Sequence, residues 1–416
     1  MSSKPTMSRD LRLQWLVGSI LGILSVCLIP SVIAVAQSQN PVMFKFIEAF
    51  GGDFLTFYTA DYMVEQGQAT QLYDHDLSHQ LQTTIEPSAD AHRPWFYPPN
   101  TLLLIAPFAH STLGFATSYL LWGLGGLLAM AAAHRYARLS GLWLAILLAS
   151  FTGLVTLLSG QMSFFIVAAF LVGMVALMRD QQVLAGVMIG LMTVKPTLGV
   201  LIPFVLIAGG YWRAFGVAVA TTIWLLALSV VWPGLGAWQG FVMSVADTFV
   251  HMGGDVSQGT RMGMETAKSL APLSMFNPYG LFKTHDMPTI WAWALQIVVS
   301  LGVMIFVCHR WIQMGATPTT VALVLSGTAL AAPYFMHYEI VILIPAVLLL
   351  VAHRDHHHHN AALWLGVLLV GLAAHIHFFA FHLQTQVVWL VSLYVFVLAL
   401  RTCALAPTAK PAKVTS

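Results

Sequence analysis

Charge is what this chain has least of. Only 8% of its 416 residues are Asp, Glu, Lys or Arg, against about 25% in a soluble domain. With 58% hydrophobic residues and a mean hydropathy of +0.78, it has too few charges to cover a soluble surface. It reads as a polytopic membrane protein whose core is the helical bundle itself. The formal net charge is +2, which leaves no basic surface for nucleic acid. Cysteine is scarce as well. Cys27, Cys308 and Cys403 fall in apolar segments or at their ends, so neither a disulfide framework nor a cysteine metal site is expected. No internal repeat and no separate soluble domain is visible. Residues 1–416 are read as one all-α transmembrane domain with a flexible tail at 404–416.

What is present is a succession of apolar segments. The first, Leu13 to Ala36, is too long for a signal-peptide core and lacks a clear cleavage site, so it reads as a retained helix. A polar loop at 37–95 follows. Apolar segments then run near 97–111, 114–133, 142–158, 162–178, 183–194, 197–208 and 214–232. A second polar loop spans 233–288, and five more segments lie near 290–308, 319–332, 334–352, 361–379 and 387–400. Several are shorter than the roughly 20 residues that a straight span needs, and short, broken spans tend to line cavities. The distribution of Lys and Arg sets the orientation. Arg9, Arg12, Arg135, Arg138, Arg179, Arg213, Arg310 and Arg354 belong on the cytoplasmic side, and both long loops then lie outside. This holds only if 97–111, broken by Pro107, re-enters or stays short at the outer face. About 12 transmembrane helices remain.

The loop at 37–95 contains Gly51-Gly52-Asp53-Phe54-Leu55-Thr56-Phe57-Tyr58. Phe54, Phe57, Tyr58 and Tyr62 share one helical face, which predicts a short helix lying in the membrane interface. Asp53 then sits at the water–lipid boundary. It either acts on a headgroup there or only caps the helix.

In this topology other polar positions gather on the same outer face. They are the turn Trp95-Phe96-Tyr97-Pro98-Pro99-Asn100, Gly160-Gln161, Lys195-Pro196, and Pro333 to Glu339 with His337. Tyr-Pro-Pro can simply start a helix, and Gly-Gln can be an ordinary turn. A lysine between two apolar half-spans is costly and reads as functional, unless it snorkels to the interface. Asp74-His75-Asp76 has the form of a metal-binding D-x-D, or of a solvated turn. The run His356 to His359 is given no role.

In this order, Gly-x-Asp-Phe-x-x-Phe-Tyr with Leu72-Tyr73-Asp74, then Tyr-Pro-Pro, Gly-Gln, Lys-Pro and Ala332-Pro333-x-x-x-His337, the motifs resemble glycosyltransferase family 87. The likeness runs over about residues 11 to 400. It implies a GT-C fold and a polyprenyl-phosphate sugar donor, with mannose in the known bacterial type. It also implies inversion at the anomeric carbon, a lipid or glycan acceptor, and a site on the periplasmic face of the bacterial inner membrane. By matching position it makes Asp53 the catalytic acid residue and His337 the late-span histidine. Tyr58, Tyr97, Gln161, Lys195 and Glu339, with Arg261 and Lys268 from the second loop, are the expected substrate-binding residues. The chain departs from the family in that loop, where Glu265 to Leu270 replaces an Asn-Gln-Ser type patch.

The chemistry fits these residues independently. An attacking hydroxyl needs one base. A phosphate leaving group needs positive charge and donors, which Lys195, His337, Arg261 or Lys268 could supply, rather than the second carboxyl group of glycoside hydrolysis. No metal cofactor is expected; Asp74 and Asp76 are the alternative ligands. The rival readings are a secondary transporter, for which broken helices and an intramembrane lysine also fit, and a lipid-linked glycan flippase or polymerase.

Overall fold

The computed structural model describes residues 9–37, 52–87, 93–252, 274–353, 360–383 and 385–405. Among these residues the protein is all-α, with no strand and one isolated bridge between Met275 and Met336. Among the described residues five helices are long and apolar enough to cross a membrane: Asp10–Cys27, Phe115–Tyr136, Trp212–Ser244, Thr289–Met314 and Asn360–His377. The pair Gly141–Ala149 and Phe151–Ser159, bent by 68°, makes a sixth if taken as one span. The remaining apolar helices are shorter, so helix length by itself yields fewer crossings than the twelve expected.

Long and short helices divide the work. Phe115–Tyr136, Trp212–Ser244 and Thr289–Met314 each bury only 22% of their most apolar window and expose residues such as Leu124, Trp224 and Val298. Theirs are the lipid-facing surfaces. Ser163–Met178, Pro318–Ala331 and Leu343–Ala352 are buried almost throughout, as expected of helices that are apolar all round. Their ends can lie within the membrane because neighbouring protein satisfies the exposed backbone groups.

Those inner ends are where the sequence motifs sit. Helix Phe151–Ser159 starts at the 68° bend, where Gly153 is needed. A Cβ there would lie 2.2 Å from the Leu148 carbonyl oxygen. Thr152 Oγ1 donates to the Val370 carbonyl and Thr156 Oγ1 to the Tyr338 carbonyl, so the bent helix is tied to two later elements. It ends at Gly160, φ +70°, the left-handed helix terminus that glycine adopts without steric cost.

The expected interfacial helix takes a different place. Gly52–Glu65 is helical, but Phe54 and Phe57 are fully buried and Tyr58 nearly so. Phe54 and Phe57 lie 5.7 and 5.6 Å from the Trp122 ring, and Trp122 lies 4.7 Å from Phe165. Each such pair adds about 0.5–1.5 kcal/mol beyond burial. The aromatic face is therefore a core contact that seats the helix in the bundle, not a lipid contact. Segment 97–111 contains two short helical pieces, Pro99–Thr101 and Leu102–Ile105, which are together far too short to cross.

Candidate active site

Asp53 lies in the first turn of its helix, where the backbone dipole favours a negative side chain. It is not the residue preceding the helix, as the capping alternative required. Its carboxylate reaches sideways instead. Gln161 Nε2 donates to Asp53 Oδ2 at 2.7 Å, and Tyr97 Oη donates to Gln161 Oε1 at 3.1 Å. The approach depends on Gly160, where a Cβ would fall 2.6 Å from Phe54 Cβ. The indole of Trp122 donates to the Gly160 carbonyl at 2.8 Å and holds the turn in place.

Arg93 was not foreseen. Its Nε stands 3.9 Å from Asp53 Oδ1. Gly52 makes room for it, since a Cβ there would lie 2.9 Å from the guanidinium. The buried Gln82 side chain clamps the Arg93 backbone on both sides, donating to its carbonyl at 2.7 Å and accepting from its N–H at 3.1 Å; Thr56 Oγ1 also donates to that carbonyl. The one available signal was that Arg93 and Lys45 are the only Lys or Arg in an otherwise acidic first loop.

Leu72-Tyr73-Asp74 has a structural explanation. Tyr73 Oη donates to the Tyr97 carbonyl at 2.7 Å. Asp74 Oδ1 accepts from the backbone N–H groups of Asp76 and Leu77, so Asp74 caps helix His75–Ile85. The D-x-D form arises from a helix start. Pro98 and Pro99 likewise open the short helix Pro99–Thr101, and Thr101 Oγ1 donates to the Val194 carbonyl at 2.8 Å. That bond fastens the Tyr97 turn to the residue before Lys195.

Lys195 separates two 3-10 turns, with φ −139° and ψ 77°. Pro196 disfavours a helical conformation at the preceding residue, so the chain breaks there and the side chain turns inward. It does not snorkel. It is buried, and its Nζ lies 2.6 Å from Glu339 Oε1; Glu339 is fully buried as well. The ammonium stands 4.8 Å from the Tyr338 ring centroid and 6.0 Å from that of Tyr97. Glu339 Oε2 accepts from the Met336 N–H at 2.7 Å.

The segment from Ala332 to Met336 is strapped by a second residue that sequence reasoning missed. Buried Asn277 donates through Nδ2 to the carbonyls of Ala332 and Pro333, each at 3.0 Å, and the Phe276 N–H donates to the Phe335 carbonyl. His337 follows, its ring parallel to that of His377 with centroids 5.9 Å apart. Phe276 packs on His377 at 4.7 Å.

The structure thus gathers Asp53, Tyr97, Gln161, Lys195 and Glu339, adds Arg93, and places His337 two residues from Glu339. Tyr58 is not in this chain of contacts. It packs edge-on against Phe115 at 5.6 Å, at the middle of its helix. Arg261, Lys268 and the run His356 to His359 lie outside the described residues. Among the described residues no three His, Cys, Asp or Glu group together as metal ligands. Tyr97 keeps its proton, because withdrawal from water and then the charge of Asp53 push its hydroxyl well above the usual tyrosine range. It can therefore donate to Gln161. The arrangement provides an anchored carboxylate that can take a proton, with cationic side chains nearby.

The family model for glycosyltransferase family 87 matches residues 95–336, more than half of the chain. The chain belongs to glycosyltransferase family 87. Comparison with curated proteins and with solved structures gives no match. The family makes the protein a glycosyltransferase, and the transporter and flippase or polymerase readings give way to that. The matched region holds Tyr97, Gln161, Lys195 and the Asn277 strap, whereas Asp53 precedes it and His337 and Glu339 follow it.

Proposed function

We propose that this glycosyltransferase moves a hexose from a polyprenyl-phosphate donor to a lipid or glycan acceptor, with inversion, at the outer face of a bacterial inner membrane. Mannose is the sugar suggested by the resemblance. The observation that carries the reading is one carboxylate, Asp53, bonded to Gln161 and facing Arg93, with a buried ammonium at Lys195 6.0 Å from the centre of the Tyr97 ring.

In this reading Asp53 takes the proton from the acceptor hydroxyl as that oxygen bonds to the anomeric carbon. The bond from that carbon to the phosphate oxygen breaks, and its electron pair leaves with the prenyl phosphate. Lys195 and His337 supply charge and a donor to the departing phosphate, so neither a second carboxylic acid nor a metal is required.

The test is transfer by purified protein in vesicles, with labelled polyprenyl-phosphate hexoses and nucleotide hexoses offered in parallel, with and without a chelator. Transfer from the lipid phosphates alone, undiminished by the chelator, is expected. Transfer from nucleotide sugars would overturn the donor class, and loss in chelator restored by manganese would overturn the metal-free mechanism.

A further inference from the structure

Tyr97 is bonded at both ends. Its backbone carbonyl accepts from Tyr73, and its hydroxyl donates to the Gln161 oxygen. Its ring is wedged between Phe57 at 5.2 Å and Trp95 at 5.3 Å. Gln161 is buried, and its remaining amide end donates to Asp53. The three side chains form one directed line, hydroxyl to amide to carboxylate. In such a chain each donation polarises the next and strengthens it.

We propose that Tyr97 is a positioning residue for Asp53, acting through Gln161 and touching neither sugar nor phosphate. This rests on the reading of Asp53 as the proton acceptor. Tyr97 fixes the Gln161 side chain, so the amide N–H keeps its place on Oδ2, holds the carboxylate plane toward the acceptor and favours its charged form. Without the hydroxyl, Gln161 loses its anchor, the carboxylate turns, and its affinity for a proton rises.

The experiment is a double-mutant cycle with Tyr97→Phe, Gln161→Leu and the pair, scored by kcat, donor KM and the pH dependence of kcat. Phe keeps the ring packing. Tyr97→Phe is expected to lower kcat by about tenfold to a hundredfold, the scale of a small misplacement of a reacting group, with donor KM unchanged. The acid limb of its profile should move to higher pH, because Asp53 then protonates more readily. Added to Gln161→Leu, it should cost nothing further, since both act through one bond. A raised donor KM with kcat unchanged, losses that add, or an unmoved acid limb would each overturn the proposal. Asp53→Asn separates the two claims. If it retains transfer, the base reading itself has failed. If it abolishes transfer while Tyr97→Phe behaves as wild type, only the positioning role has failed.

Discussion

The pair Lys195 and Glu339 shows how a single side chain can be misjudged from sequence. A lysine between half-spans was legible as costly, but its partner was not, because the two lie far apart in the chain and meet only when two broken helices pack. With Nζ 2.6 Å from Oε1 and both groups buried, removing the lysine strands a charge, which costs about 3–5 kcal/mol in buried pairs. Lys195→Met should therefore lower both stability and transfer, and the stability loss alone could explain the rest. The double variant Lys195→Met with Glu339→Gln separates these effects. Thermal unfolding should recover toward wild type, while use of the polyprenyl-phosphate donor should stay low if Lys195 contacts the phosphate. Recovery of transfer along with stability would leave the pair a structural one. Arg93 was less legible still. An arginine in a polar loop has no pattern of its own, and only the close fit of its guanidinium over Gly52 and the Gln82 clamp reveal that it is placed.

At the scale of elements, the helix at Gly52–Glu65 was readable from its aromatic spacing, but what covers that face was not. Periodicity identifies an apolar stripe; it does not distinguish lipid from Trp122. Gly160-Gln161 reads from sequence either as an ordinary turn or as part of the outer-face site; the structure makes it the turn that brings Gln161 to Asp53. Gly160→Ala should fold less stably and lose most transfer, since its positive φ and a Cβ at 2.6 Å from Phe54 both resist the substitution. Gly302→Ala is the control, because nothing lies within 4 Å of a Cβ there. Equal melting temperatures and activities for the two variants would contradict the proposed close packing of the turn on the Asp53 helix.

Over the whole molecule, composition alone was enough to identify an all-α membrane bundle, and the ordered motifs were enough to identify the family. The number of crossings was not legible. Hydropathy registers every apolar segment, and 183–194 and 197–208 are short helical elements on either side of the break at Lys195, where segment length does not tell a crossing from a half-span. The convergence of the motifs is seen in the contacts among Asp53, Gln161 and Tyr97 and between Lys195 and Glu339. Its geometry depended on contacts that sequence does not display, such as the bond from Thr101 to Val194 and the Asn277 strap.

The central claim is that the Asp53 carboxylate takes the acceptor's proton. Asp53→Asn preserves size and a hydrogen-bonding oxygen while removing the base. The measurement is sugar transfer by purified Asp53→Asn protein, beside its melting temperature and donor binding. The account predicts a folded protein that binds donor and turns over roughly 10²–10⁴-fold more slowly, the contribution of a positioned base. Transfer at near wild-type rate would contradict it.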